Sequence, residues 1–130
     1  MSAALLALSL LAPAPALGLE WAAYREESVI EILTHDADGA RRETPVWCVV
    51  LDDAAFVRTN DSRWLANIRR GSPVALRARG VESSVQVEEV DDGALKARVE
   101  EAFKTKYGAM QRVMSALRMR EPTVLRLTPS

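Results

Sequence analysis

The nine residues Glu43-Thr44-Pro45-Val46-Trp47-Cys48-Val49-Val50-Leu51 decide the fold of this 130-residue chain. Every residue from Val46 to Leu51 is apolar, so an extended strand over this stretch would be apolar on both faces. A strand of this kind is typical of the centre of a sheet that is covered on both sides. We therefore predict a β-rich fold in which Glu43–Leu51 is a central strand.

The flanking segments predict a mainly β fold with helices, of the α+β class. His35-Asp36-Ala37-Asp38-Gly39 is a polar turn that joins a first strand to the second as a β-hairpin. The predicted strands are Val29–Leu33, Glu43–Leu51, Ala55–Thr59, Val74–Ala78, Val85–Glu88 and Thr123–Leu127, with a short helix from Asn60 to Gly71, a helix from Asp91 to Gly108 and a second apolar helical stripe from Met110 to Leu117. A last strand that closes the sheet would leave no free edge, so we expect a small closed sheet of six strands, a split β-barrel with a short helix after strand 3 and two helices before the last strand.

The first nineteen residues carry no charged side chain, whereas the rest of the chain carries all 17 basic and 18 acidic ones. An apolar stretch from Ala3 to Leu11, two prolines and small residues near Gly18 are typical of an export signal. We predict a signal peptide over residues 1–18 and one domain over 19–130, exported to the periplasm or secreted. The alternatives are an uncleaved anchor and a cytoplasmic protein with a disordered leader. The anchor is disfavoured because the stretch is shorter than the roughly 20 residues of a spanning helix, and no membrane span is expected after the leader is removed.

The remaining composition limits the chemistry that the side chains can perform. About 112 residues after the leader suffice for one domain with one core. Cys48 is the only cysteine and lies in an apolar run, which favours a small buried side chain over a reactive thiol. His35 is the only histidine, so no metal site is predicted. The sequence contains no Ser-His, Cys-His or paired-carboxylate arrangement that indicates a protein nucleophile.

The net charge of −1 conceals two oppositely charged segments. Between Arg58 and Gly80 six arginines face one acid, Asp61, and between Glu82 and Glu101 seven acids face two basic residues. The arginines could form a phosphate or carboxylate site, or they could pair with the acidic segment on a solvated face. Nucleic acid is not an expected partner, since aromatic residues do not interleave with the arginines.

Five short segments resemble, in order, a bacterial family of unknown function related to the deazaflavin-dependent nitroreductases. They are Arg41–Trp47, Val49–Asp53, Phe56–Thr59, Trp64–Ile68 and Lys106–Gly108. The resemblance runs from about Ser28 to Pro129. It implies a split barrel of the flavin-binding, pyridoxamine-phosphate-oxidase-like superfamily, paired as a homodimer.

The resemblance also implies a cofactor groove and its residues. Carried over by position, the cofactor-binding residues are Arg41, Arg42, Thr44, Pro45, Trp47, Arg58, Thr59, Asn60, Arg63, Trp64 and Asn67. The implied ligand is FMN or a deazaflavin, a small phosphorylated cofactor that would serve reduction of small electrophiles. The alternative is a non-catalytic, exported binding module without a redox cofactor, which takes an anionic small molecule or a partner protein. For Trp47 and Trp64 packing in the core is the competing role.

Overall fold

The computed structural model describes residues 20–117 and 122–130, and side chains only outside 109–121. The predicted signal peptide and the side chains of the Met110–Leu117 stripe lie outside the described residues. The elements are helices α1 (Trp21–Glu26), α2 (Arg63–Arg69) and α3 (Gly93–Leu117), and strands β1 (Ile30–His35), β2 (Arg41–Val46), β3 (Val49–Leu51), β4 (Ala54–Thr59), β5 (Val74–Ala78), β6 (Val81–Glu89) and β7 (Thr123–Pro129).

The strands form one seven-stranded sheet in the order β2-β1-β5-β6-β7-β4-β3, with every neighbouring pair antiparallel. The first hairpin turns where predicted: the backbone nitrogen of Asp36 donates to the carbonyl of Ala40 at 2.8 Å, and Gly39 has a φ of 91°. A positive φ of this kind favours glycine, which has no Cβ. The mainly β class with helices is therefore confirmed.

The predicted second strand is wrong in its extent and its place. The chain leaves the sheet at Trp47 and Cys48, which divides Glu43–Leu51 between β2 and β3 and gives seven strands instead of six. Both pieces lie at edges of the sheet, so the sheet is open rather than closed. Pro45 is compatible with the edge position of β2, because proline lacks the N–H that a central strand donates.

The strand that is covered on both faces is β4, in which all six residues are buried. One face of β4, with Ala55 and Val57, packs in a core that also contains residues of α1 and α2. The opposite face, with Phe56, packs under α3 in a second core. The last strand, β7, lies between β6 and β4 and joins the two halves of the sheet, rather than closing it.

Two helices were expected before the last strand, and α3 consists of two helical segments that meet at a kink at Gly108. This residue has a φ of 59° and a ψ of −132°, outside the helical region, at the position where the sequence predicted a helix end. The preceding part of α3 buries Val99 and Phe103, with Leu95 packed beside them. Helix α1 was not predicted; it buries Ala23 and Tyr24 against the first core.

Candidate functional site

The corner between β2 and β3 is held by two consecutive residues of α3. The Tyr107 hydroxyl accepts a hydrogen bond from the backbone nitrogen of Cys48 at 3.0 Å and lies 2.8 Å from the carbonyl oxygen of Ser28. The Lys106 ammonium donates to the carbonyl oxygens of Cys48 at 2.7 Å and of Tyr24 at 3.0 Å. Burial lowers the pKa of Lys106. These contacts tie α1, the corner and α3 together.

The Cys48 thiol is fully buried at this corner and lies 3.6 Å from the carbonyl oxygen of Tyr24. Burial raises its pKa to about 11, although the nearby Lys106 charge acts in the opposite direction. A thiol that stays protonated at neutral pH is a poor nucleophile. The structure thus confirms the sequence-based interpretation of Cys48 as a small buried side chain.

Arg58 is buried on the outer face of β4, under α3. Its guanidinium lies 2.7 Å from a carboxylate oxygen of Glu100 and 3.9 Å from the centre of the Phe103 ring. Trp47 stacks on Tyr107 with 4.1 Å between ring centres, and Phe103 lies on Tyr107 at 5.7 Å. Two of the predicted cofactor-binding residues, Trp47 and Arg58, therefore pack against one face of α3.

A second polar group lies where α2 meets the β1–β2 hairpin; we call Arg42, Arg63, Asn67 and Arg70 around Asp36 the arginine cluster. Arg42 binds Asp36 through two nitrogens, at 2.8 and 3.1 Å. The buried Asn67 amide donates to Asp36 at 2.9 Å and to Thr34 at 3.0 Å. Arg70 donates to the Asn67 side-chain oxygen at 2.7 Å. Asn67 thereby orders the cluster from its centre.

The arginine cluster contains more positively charged than negatively charged side chains. Hydrogen bonds from Arg42 and Asn67 lower the pKa of Asp36 to about 2, and the Arg63 charge acts in the same direction. Asp38 also faces Arg42, so three guanidinium groups stand against two carboxylates. Arg63 itself is exposed and has no ion-pair partner among the described residues. A net positive charge with arginine donors suits a phosphate or carboxylate.

The other predicted residues lie outside these two groups. Arg41 is exposed and pairs with Glu82 at 2.5 Å. Thr44 and Pro45 lie on the edge strand β2, whereas Trp64 is buried in the first core. The Thr59 hydroxyl lies 3.0 Å from that of Ser62, which caps α2, and Asn60 lies in the turn between them.

The eleven predicted residues are thus not brought to one place: Arg42 and Asn67 bind Asp36, whose pKa the Arg63 charge also lowers, and Trp47 and Arg58 pack under α3. Sequence reasoning missed Arg70. Its signal was available, because Arg63, Asn67 and Arg70 recur at i, i+4 and i+7 on one helix face. It also missed Asp36, which had been interpreted only as a turn residue.

Much of the arginine-rich segment pairs with acids; Arg58 and Arg69 pair with the acidic segment, as the solvated-face interpretation proposed, whereas Arg77 and Arg79 pair with acids outside it. Arg69 binds Glu89 through two nitrogens at 2.8 and 2.9 Å. Arg77 contacts Glu31 and Glu43, and Arg79 contacts Glu26 and Glu27. Exposed pairs of this type contribute about 0–1 kcal/mol each. Their main consequence is that Arg63, within the arginine-rich segment, remains exposed without an ion-pair partner among the described residues.

The described residues offer little chemistry of their own. Within residues 20–117 and 122–130 no group of three or more His, Cys, Asp or Glu side chains could hold a metal ion. None of the helices in this part of the chain has the length and hydropathy needed to cross a membrane. The arginine donors around Asp36 are groups that can bind an anion.

The curled antiparallel sheet with its flanking helices has the split-barrel fold of solved structures that include a putative pyridoxamine 5'-phosphate oxidase. The chain belongs to the family of uncharacterised proteins conserved in bacteria called DUF2255, which it matches over residues 20–127. The family resemblance indicated by the sequence is thereby confirmed.

Three solved structures illustrate the similarity of the fold. The conserved hypothetical protein Rv2991 from Mycobacterium tuberculosis is 20% identical, with a TM-score of 0.68 over 84% of this chain and 77% of that one. The heme storage protein HutZ from Vibrio cholerae is 18% identical, with a TM-score of 0.64 over 81% and 83%. An F420-H2 dependent reductase, FDR-A, is 12% identical, with a TM-score of 0.62 over 78% and 94%. A comparison with curated proteins found no match. At these identities the likeness shows the fold alone.

Proposed function

We propose that this protein binds a phosphorylated flavin-type cofactor, FMN or a deazaflavin, at the arginine cluster and reduces small electrophiles with it. The observation that carries the proposal is that Arg42 and Arg70 bind the Asp36–Asn67 pair, while the exposed Arg63 on the same helix adds a positive charge that acts on Asp36. One solved structure with a similar fold is an F420-H2 dependent reductase, and this similarity supports the choice of a flavin-type cofactor.

The residues of the cluster fit a phosphate group. Arg42 uses two of its five N–H donors on Asp36, so that three remain. Arg63 is exposed at the start of α2, and Arg70 is held by Asn67. Charge-assisted hydrogen bonds of this kind are roughly twice as strong as neutral ones. In this proposal Arg42, Arg63 and Arg70 hold the phosphate, and Asn67 keeps the cluster in place.

The cofactor, when bound, would supply hydride transfer, and the chain would contribute binding and orientation. The buried Cys48 thiol, whose pKa is raised to about 11, has no part in this proposal. Following the resemblance, we further propose a homodimer. Export of the protein by its leader is part of the same proposal.

A second candidate function is a non-catalytic module that binds an anionic small molecule at the same cluster. The ion pair between Arg58 and Glu100 favours it, because this contact gives a predicted cofactor residue a structural role under α3. Both candidates share the anion site and differ in turnover.

The test compares FMN with riboflavin, which lacks the phosphate, by calorimetric titration. Arg63→Gln should weaken FMN binding by about tenfold or more, equal to about 1.4 kcal/mol, and leave riboflavin unchanged. Arg69→Gln is the matched control, since Arg69 is an exposed arginine of the same helix that pairs with Glu89.

Negligible affinity of the wild type for FMN, deazaflavin and inorganic phosphate alike would contradict the proposal. A flavin-like absorption band in protein purified from its own compartment, together with oxidation of the bound reduced cofactor by a nitroaromatic compound, would support the reductase. FMN binding without such turnover would support the binding module. Sedimentation of the purified protein as a monomer would contradict the dimer.

A further inference from the structure

A groove of about 570 Å³ runs along the free edge of the sheet, between β3 and α3. We call it the edge groove; its lining includes Arg25, Val49, Leu51, Arg98, Ala102 and Lys106. It is separate from the arginine cluster, none of whose residues lines it. Its volume falls in the range of about 300–1,000 Å³ that is usual for small-molecule sites.

The walls of the edge groove are mainly apolar. On one side lies the strand Val49–Leu51, and on the other lie Ala97 and Ala102 of α3, whose small side chains leave the space open. Val49 is buried beneath the groove, and Leu51 is half-buried. An alkyl chain laid along this surface would remove apolar area from water on both sides, at about 25 cal/mol per Å².

The charges at the edge groove are predominantly positive. Arg25, Arg98 and Lys106 line it, against one acid, Glu101. Arg25 is exposed and has no ion-pair partner among the described residues. Arg98 has only a 3.5 Å contact with Asp52, and both side chains are more than half exposed. Two arginines are therefore available to an anion.

Lys106 provides a fixed donor at the same place. Two of its three N–H groups are used by the carbonyl oxygens of Tyr24 and Cys48. These two acceptors hold the ammonium in position, and the third N–H of Lys106 remains available to an anion. An ammonium that is already positioned loses little rotamer freedom when an anion binds.

We propose that the edge groove binds an amphipathic anion, namely an aliphatic carboxylate whose chain lies between β3 and α3 and whose head group meets Lys106, in the positive field of Arg25 and Arg98. Charge complementarity selects this occupant. A second copy of the chain would bring the same three cations against themselves, which is unfavourable. The inference is independent of the proposed cofactor, because the two sites share no residue.

The experiment compares octanoate with octan-1-ol, which has the same chain length and no charge, by calorimetric titration of the full chain. Octanoate should bind at least tenfold more tightly. The preference is the ratio of the Kd of octan-1-ol to the Kd of octanoate. In the double variant Arg25→Gln/Arg98→Gln the logarithm of this ratio should be at most half of the wild-type value, and Lys106→Met should lower the ratio further. Arg69→Gln, an exposed arginine outside the groove, should behave like the wild type. Ala102→Glu should abolish octanoate binding, because it places a carboxylate in the groove.

Amide chemical shifts in nitrogen–proton spectra locate the bound molecule. Octanoate should shift the signals of residues 49–51 and 97–106 and leave those of α2 in place. No binding, equal binding of octanol, or shifts confined to other residues would each overturn the proposal. If Lys106→Met does not fold, as judged by circular dichroism, the arginine double variant carries the test. FMN affinity in that double variant should stay unchanged, which separates this inference from the proposed cofactor site.

Discussion

The Tyr107 hydroxyl lies 3.0 Å from the backbone nitrogen of Cys48, a residue 59 positions earlier in the chain. Through this contact α3 provides an acceptor for the backbone N–H of Cys48, which lies between the end of β2 and the start of β3. A buried backbone N–H must find a partner, and at this corner the partner is a side chain rather than a neighbouring strand.

Tyr107→Phe should lower the free energy of unfolding by about 1–3 kcal/mol, because it leaves the Cys48 N–H without its acceptor. Urea denaturation followed by circular dichroism measures the change. Tyr24→Phe is the matched control: Tyr24 is also buried, and its hydroxyl, beside Ser83, makes no hydrogen bond of standard geometry to the described residues. Equal losses in the two variants would contradict a specific role for the Tyr107 hydroxyl.

Phe103→Ala should lower the free energy of unfolding by on the order of 3 kcal/mol, since it opens a cavity under α3. The Phe103 side chain is 1% exposed, and it contacts both the Arg58 guanidinium and the Tyr107 ring. Thermal and urea denaturation measure the loss. Leu95→Ala, at a half-buried position of the same helix, should cost less. An unchanged melting temperature for Phe103→Ala would show that the face is not packed in solution.

The stability that Asp36 contributes should depend on pH. Hydrogen bonds from Arg42 and Asn67 lower its pKa from the ordinary 3.8 to about 2, so its contribution is present above pH 3.8 and is lost as the pH falls towards 2. The difference in urea midpoint between wild type and Asp36→Asn should therefore be constant near neutral pH and shrink below pH 3.8. The difference isolates Asp36 from Glu43 and Glu89, whose pKa values are also lowered by arginines. A constant difference throughout would contradict the low pKa.

The Cys48 thiol should resist modification in the folded protein. Its pKa is raised to about 11 by burial, so it is protonated and covered at pH 8. A disulfide reagent such as dithiobis(nitrobenzoate) should react slowly with the native protein and rapidly in urea. Native and unfolded protein reacting at the same rate would show that the corner at Cys48 opens readily.

The leader should be removed on export. N-terminal sequencing of the exported protein should begin within a few residues of Leu19, after the small residues that precede it. An intact Met1 on soluble cytosolic protein would contradict export and favour the cytoplasmic alternative.

Local patterns were sufficient to predict the elements from β4 to the first part of α3. The change from alternating to helical spacing, the Ser62 cap and the break at Gly108 depend on neighbours within one or two turns, so a single sequence contains them. The five family segments likewise predicted the split-barrel class. The i, i+4 and i+8 spacing of Leu95, Val99 and Phe103 is typical of the core face of a helix, and Val99 and Phe103 are fully buried.

Only the tertiary structure decided the corner, the edges and the site. Continuous apolar spacing cannot show that Trp47 and Cys48 leave the sheet, because the group that accepts the Cys48 N–H lies on α3, 59 residues away. The same holds for Arg58, whose partner Glu100 is 42 residues distant, and for Asn67 and Asp36, 31 residues apart. Spacing along the chain determines which side chains lie on the same face of a helix or strand. Ion pairs and hydrogen bonds between distant residues depend instead on which helices and strands pack together. This packing is determined by burial of the whole core.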